Sequence, residues 1–207
     1  MKAELRGGLL NRDLVLLLCS QIIFVSAGAM TVTMAGIVGS RLAPNSALAT
    51  LPVSFMVLGT ALAAFPAAQF MRHLGRRAGF VSAALMAVLS CALGYWGLTL
   101  SSFSLYCAGT GTLGISLAFS QQFRFAATET VTPKQAGSAV SLLLLGSVGG
   151  AIVGPELVAR SEQIRPEGGF VGALVGAAVL FVLAAFLLSQ LSKLPVFGSL
   201  CIVHERL

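Results

Sequence analysis

Residues 78–123 read AGFVSAALMAVLSCALGYWGLTLSSFSLYCAGTGTLGISLAFSQQF, a run of 46 residues without Lys, Arg, Asp or Glu. One membrane-crossing helix uses about 20 residues, so this stretch is too long for a single crossing. Gly97 and the polar pair Ser101 and Ser102 interrupt it, which predicts a break near residues 99–102 and two spans where one charge-free run stands. That division sets the count for the whole chain. The other charge-free runs cover residues 14–40, 42–71, 135–155 and 168–192, and each holds one span. The six predicted helices are 14–38, 47–71, 78–98, 103–123, 137–157 and 169–191.

The composition leaves little room for a water-soluble domain. Of 207 residues, 57% are hydrophobic and 10% charged, against about 25% charged in soluble chains. The mean hydropathy of +0.92 comes from uninterrupted segments. Runs such as Leu14 to Leu18 and Ser141 to Leu145 lack the apolar–polar alternation of barrel strands. Hydrocarbon also forces each backbone amide to bond within its own segment. The expected fold class is an all-α integral membrane protein. It comprises a cytoplasmic amino end (1–13), a six-helix transmembrane domain (14–191) and a cytoplasmic tail (192–207).

Basic residues orient the spans. Lys2, Arg6, Arg12, Arg72, Arg76, Arg77, Arg124, Lys134, Lys193 and Arg206 fall on one side, and Arg41, Arg160 and Arg165 on the other. Ten against three places both termini in the cytoplasm, in a cell or inner membrane, as an even span number requires. The net charge of +6 is thus a topology signal rather than a nucleic-acid footprint. Ala27-Gly28-Ala29 imitates a signal-peptidase site, but the apolar run continues through Val38, as a retained helix does.

Reactive chemistry is sparse. Cys19, Cys91, Cys107 and Cys201 show no metal or disulfide spacing, and His73 and His204 have no ligating neighbours at suitable intervals. We find no nucleophile–base pairing and no phosphate-cradling glycine loop. The expectation is a non-enzyme without cofactor or metal, whose partners are the lipid bilayer and a small-molecule solute. Every Lys, Arg, Asp and Glu lies at or beyond a span end, so a solute site must use neutral polar groups and shape.

Three motifs carry a family resemblance. Ala68-Gln69-Phe70-Met71-Arg72-His73-Leu74-Gly75-Arg76-Arg77, between the second and third spans, resembles the Gly-x-Leu-Ala-Asp-Arg-x-Gly-Arg-Arg signature of the major facilitator superfamily. Ala68 stands in place of the first glycine and Arg72 in place of the aspartate. In the fifth span, Gly146, Gly150 and Gly154 recur every four residues before Pro155, and this core is similar to the family's antiporter-associated motif. On a helix the three glycines share one stripe suited to close packing, and Pro155 is expected to bend or end the helix. Asn11-Arg12-Asp13 with Gln21, and Arg124-Phe125-Ala126-Ala127 with Glu129 and Thr132-Pro133-Lys134, are similar to the family's first helix and its fourth-to-fifth connection.

The resemblance implies two inverted three-helix repeats, one half of a twelve-helix transporter. It further implies that the first and fourth helices line a central cavity. The candidate cavity residues are then Gln21, Ser26, Thr31 and Thr33 on the first span and Ser116, Ser120 and Gln121 on the fourth. Gly75, Arg76, Arg77 and Glu129 form the candidate cytoplasmic motif, with Glu129 expected to pair with Arg76 or Arg77. A half-length chain would need a second copy of itself or a separate second half; a truncated remnant or a non-transporting scaffold is the competing expectation. Small residues at Gly168, Gly172 and Gly176, and at Gly59, Ala63 and Ala67, predict close packing on the sixth and second spans as well.

Overall fold

The computed structural model describes residues 11–164 and 169–191. All regular structure in them is helical: α1 (Arg12–Leu42), α2 (Leu51–Leu74), α3 (Arg76–Thr99), α4 (Phe103–Ser120), α5 (Phe123–Thr130), α6 (Ala136–Ile164) and α7 (Gly169–Ser189), with short 3-10 turns at Ser46–Leu48 and Pro133–Gln135. The basic amino end, Arg165 and the tail from residue 192 lie outside the described residues.

The long run of residues 78–123 is broken where its serines stand. α3 ends at Thr99, Ser101 takes φ 51°, and α4 begins at Phe103. At the α2–α3 turn, Gly75 serves both helices as a cap with φ 87° and ψ 157°, a region open to glycine alone. Its amide donates to the Met71 carbonyl.

Five helices, α1, α2, α3, α6 and α7, are long and apolar enough to cross a membrane. The sixth, α4, has 18 residues and no charge, with Gly109, Gly111 and Gly114 among hydroxyl residues. Most of its residues are buried, Tyr106, Thr110, Leu113, Ser116 and Phe119 among them, while Ser104 and Ala108 are exposed. A helix packed largely against protein depends less on lipid-facing apolar side chains.

The helix contacts follow a two-fold scheme. α4 packs on α2 and α3, α1 packs on α6 and α7, and α3 meets α7. Exchanging α1 with α4, α2 with α6 and α3 with α7 returns the same set of neighbours. The fold is therefore two three-helix units, α1–α3 and α4, α6, α7. Because each has an odd number of crossings, the second is inverted relative to the first. α2 and α6 are the peripheral pair, with outward faces such as Leu62 and Phe65 on α2 and Leu145 and Ile152 on α6.

Pro155 sits inside α6, which continues to Ile164, so the expectation that it bends or ends the helix is corrected as to ending. Pro155 is exposed, and only one intrahelical bond is lost at its missing N–H; the turns beyond it still bond normally. Glu156 pairs with Arg160 one turn on, at 3.0 Å and exposed.

Candidate functional site

One end of the helix bundle is built around α5, an eight-residue helix where the sequence predicts a plain connection. Phe123, Ala126, Ala127 and Thr130 are its buried positions, the spacing of a single helical face. Phe123 stacks edge-on against Phe24 of α1 at 5.5 Å and contacts Phe80 of α3 at 4.5 Å, while Phe24 meets Phe181 of α7 at 5.2 Å. With this aromatic anchor in place, the opposite end of α5 is fixed over the α2–α3 turn. There Arg76 Nη2 donates to Glu129 Oε1 at 2.5 Å, with both side chains mostly buried. Asn11 Nδ2 adds a donation to the Thr130 carbonyl at 3.4 Å. The glycine turn, one arginine of the basic loop and the acid of the fourth-to-fifth connection thus meet at one point. Arg77 is exposed beside it.

Within the spans, α1 and α6 touch through backbone. A Cβ on Gly150 would lie 2.8 Å from the Ile22 carbonyl oxygen, and one on Gly154 would strike the Ser26 carbonyl oxygen and lie 2.8 Å from the Ala29 Cβ. Gly146 faces the side-chain ends of Leu18 and Ile22 instead. One turn along, Gln21 Nε2 donates to Ser147 Oγ at 2.8 Å, and that hydroxyl donates to the Leu143 carbonyl at 2.9 Å. Gln21 is 5% exposed, and its Oε1 has no hydrogen-bond partner within the protein. Ser26 is buried against Gly150 on the same interface.

The remaining polar residues on α1 and α4 are placed differently. Thr31 and Thr33 donate to the carbonyls of Ala27 and Ala29 on their own helix. Ser116 is fully buried and donates to the Ala83 carbonyl of α3 at 2.7 Å, a tie between helices. Ser120 donates to Leu117, and Gln121 is exposed at the carboxyl end of α4. Gln21 and Ser26 thus share one interface, while Ser116 belongs to the other side of the bundle. The sequence reading missed Thr60, whose Oγ1 bonds the Gly114 carbonyl at 2.9 Å, and Ser147. Its signal was present in both cases: each hydroxyl lies beside a glycine of a packing stripe.

An all-α, lipid-embedded body of two inverted three-helix units, with its charges near helix ends and a charged tie at one end, has the form of one half of a membrane carrier. Comparison with known proteins agrees. The chain is 37% identical to the riboflavin transporter RfnT of Brucella anthropi over 174 residues, 84% of this chain and 44% of that protein. It is 25% identical over 207 residues to YddS and 28% identical over 195 residues to YdeG, both uncharacterised MFS-type transporters of Bacillus subtilis. No protein-family model matches. The chain belongs to the major facilitator superfamily, and it spans about half the length of the curated relatives it matches, 44–48%.

Proposed function

We propose that this chain forms one wall of the pathway of a secondary transporter that moves a neutral organic solute across the cell inner membrane by alternating access, both termini being cytoplasmic. The observation that carries the reading is the 37% identity to a riboflavin transporter across 84% of the chain. Riboflavin, an uncharged ring system with a hydroxylated tail, is the solute we assign. The neutral character of the span interiors supports this, since an uncharged solute needs no buried counter-ion.

The second wall is a further six-helix unit, a second copy of this chain or a distinct one, set against the outward apolar faces of α2 and α6. In this reading the Gln21 amide contacts the solute, because its buried oxygen is unsatisfied by the protein. Ser26, Thr31 and Thr33 of α1 and Ser120 and Gln121 of α4 are further wall candidates, while Ser116, spent on the Ala83 carbonyl, holds α4 to α3. Arg76 and Glu129 act as a tie at the inner gate, favouring one conformation over the other.

The test is uptake of radiolabelled riboflavin by riboflavin-requiring cells that express the chain. Saturable uptake, abolished by Gln21→Leu at equal membrane abundance, is expected. Uptake no greater than in vector-only cells would overturn the reading.

A further inference from the structure

The two three-helix units meet around a small enclosed cavity between α1, α3, α4 and α7, distinct from the α1–α6 interface. Its wall includes Thr31, Ser90, Gly94, Tyr106, Gly109 and Thr110. The cavity admits the centre of a water-sized sphere over about 10 Å³, the order that one water molecule needs and far too little for an organic solute.

Tyr106 is 1% exposed, and its hydroxyl has no hydrogen-bond partner within the protein. The direction of its ring follows from the glycines of α3. Gly97 lies against the Tyr106 Cα and Cβ, and Gly94, one turn earlier, against the ring edge at Cε2. Continued along α3, that line ends at the turn of Ser90 and Cys91, which line the cavity.

The other hydroxyls there have each committed their proton. Thr31 Oγ1 donates to Ala27 at 2.9 Å, Ser90 Oγ to Ala87 at 2.7 Å and Thr110 Oγ1 to Cys107 at 2.9 Å. All three are at least nine-tenths buried. They can therefore only accept, and Tyr106 can donate. One donor and three acceptors around a single-molecule space match the two lone pairs and two protons of water. A buried tyrosine hydroxyl left unbonded in this setting would carry its full desolvation cost.

We propose that this cavity is a binding site for one water molecule, which accepts the Tyr106 proton and donates to the hydroxyl oxygens of Thr31, Ser90 or Thr110. Through Thr31 or Ser90 the water then links the first unit to Tyr106 on α4 of the second, a polar joint where the two repeats cross.

The chain has two tyrosines, Tyr95 and Tyr106. Tyr95→Phe, at a partly exposed position, leaves Tyr106 as the sole reporter in Raman spectra of the full chain in lipid nanodiscs. The ring Fermi doublet, whose intensity ratio reports phenol hydrogen bonding, is expected to show a donating hydroxyl. An experimental map is expected to hold one peak within hydrogen-bond distance of Tyr106 Oη. Tyr106→Phe is expected to lower the melting temperature by about 2–4 °C. The doublet of an unbonded phenol overturns the proposal. So does a direct bond from Tyr106 to a protein oxygen with no density in the cavity, or a peak that strengthens when rubidium replaces sodium. A Tyr106→Phe protein as stable as the parent or more so counts against it equally. If that variant does not fold, the Tyr95→Phe spectrum and the map decide.

Discussion

The α2–α4 and α1–α6 interfaces are counterparts under the internal two-fold, and both bring glycine against a neighbouring backbone carbonyl. On the first, Gly114 lies against Met56 and Gly59 against Gly111; on the second, Gly150 and Gly154 lie against Ile22 and Ser26. They differ in what crosses them. Thr60 bridges α2 and α4 with one hydroxyl whose single proton is shared between the carbonyls of Met56 and Gly114, and no polar atom of that bridge is left over. Gln21 bridges α1 and α6 with one end of its amide and leaves the other end buried and unbonded. The same packing device therefore serves two purposes: one interface is closed, and the other keeps an unused acceptor in the membrane interior. The proposed solute contact at Gln21 rests on that unused acceptor.

The most damaging changes are expected at the shared device. Gly114→Ala and Gly154→Ala each drive a Cβ into backbone that cannot swing aside, and each should cost about 1–3 kcal/mol or more. Thermal unfolding of the purified chain in detergent checks this, and a Gly154→Ala protein of parental stability would break the equivalence of the two interfaces. The charged tie beside the Gly75 turn comes next and is only 13–16% exposed. Glu129→Gln leaves the Arg76 guanidinium without its counter-charge and should cost about 1–3 kcal/mol, more than an exposed pair is worth. Its larger effect is on conformation, read as altered labelling of inward- and outward-facing cysteines; unchanged labelling would remove the tie from the mechanism.

The polar bridge comes third in stability. Gln21→Leu and Thr60→Val should each cost about 0.6 kcal/mol, the ordinary value of a hydrogen bond between membrane helices. Only Gln21→Leu should abolish solute uptake; equal loss of uptake in both would erase the distinction drawn here. Least affected should be Gly172→Ala and Gly176→Ala, where a Cβ meets nothing within 4 Å. Both should lie within about 0.5 kcal/mol of the parent.

Those last two glycines mark where the sequence could mislead. Their four-residue spacing is the same as that of Gly146, Gly150 and Gly154, yet α7 buries Ala173, Leu174, Ala177 and Phe181 and turns the two glycines outward. Spacing defines a stripe on a helix without saying which neighbour, if any, it meets. The five apolar runs, by contrast, were legible from charge alone, because a charged residue in hydrocarbon is costly enough to punctuate the chain. The break at Ser101 and Ser102 was legible too, from polarity beside glycine.

What escaped was α5. A helix of eight residues has no apolar run to announce it, and its buried face became visible only once Phe123 was seen stacked on Phe24 and Phe80. The pairing of Glu129 was legible as far as a choice between two arginines. Which of them it meets depends on the Gly75 turn, whose geometry no spacing encodes. Within the spans, polarity alone put Gln21 and Ser116 in the same class. Only the partner atoms separate an amide with a free oxygen from a hydroxyl fully used between α3 and α4.

The most direct test of the account is flux through the assembly as it is extracted from its membrane. Purified without denaturation and reconstituted into liposomes, it should contain at least two six-helix units and carry riboflavin saturably, with Gln21→Leu assembled but inactive. A stable single chain of 207 residues whose liposomes take up no more riboflavin than protein-free ones would contradict it.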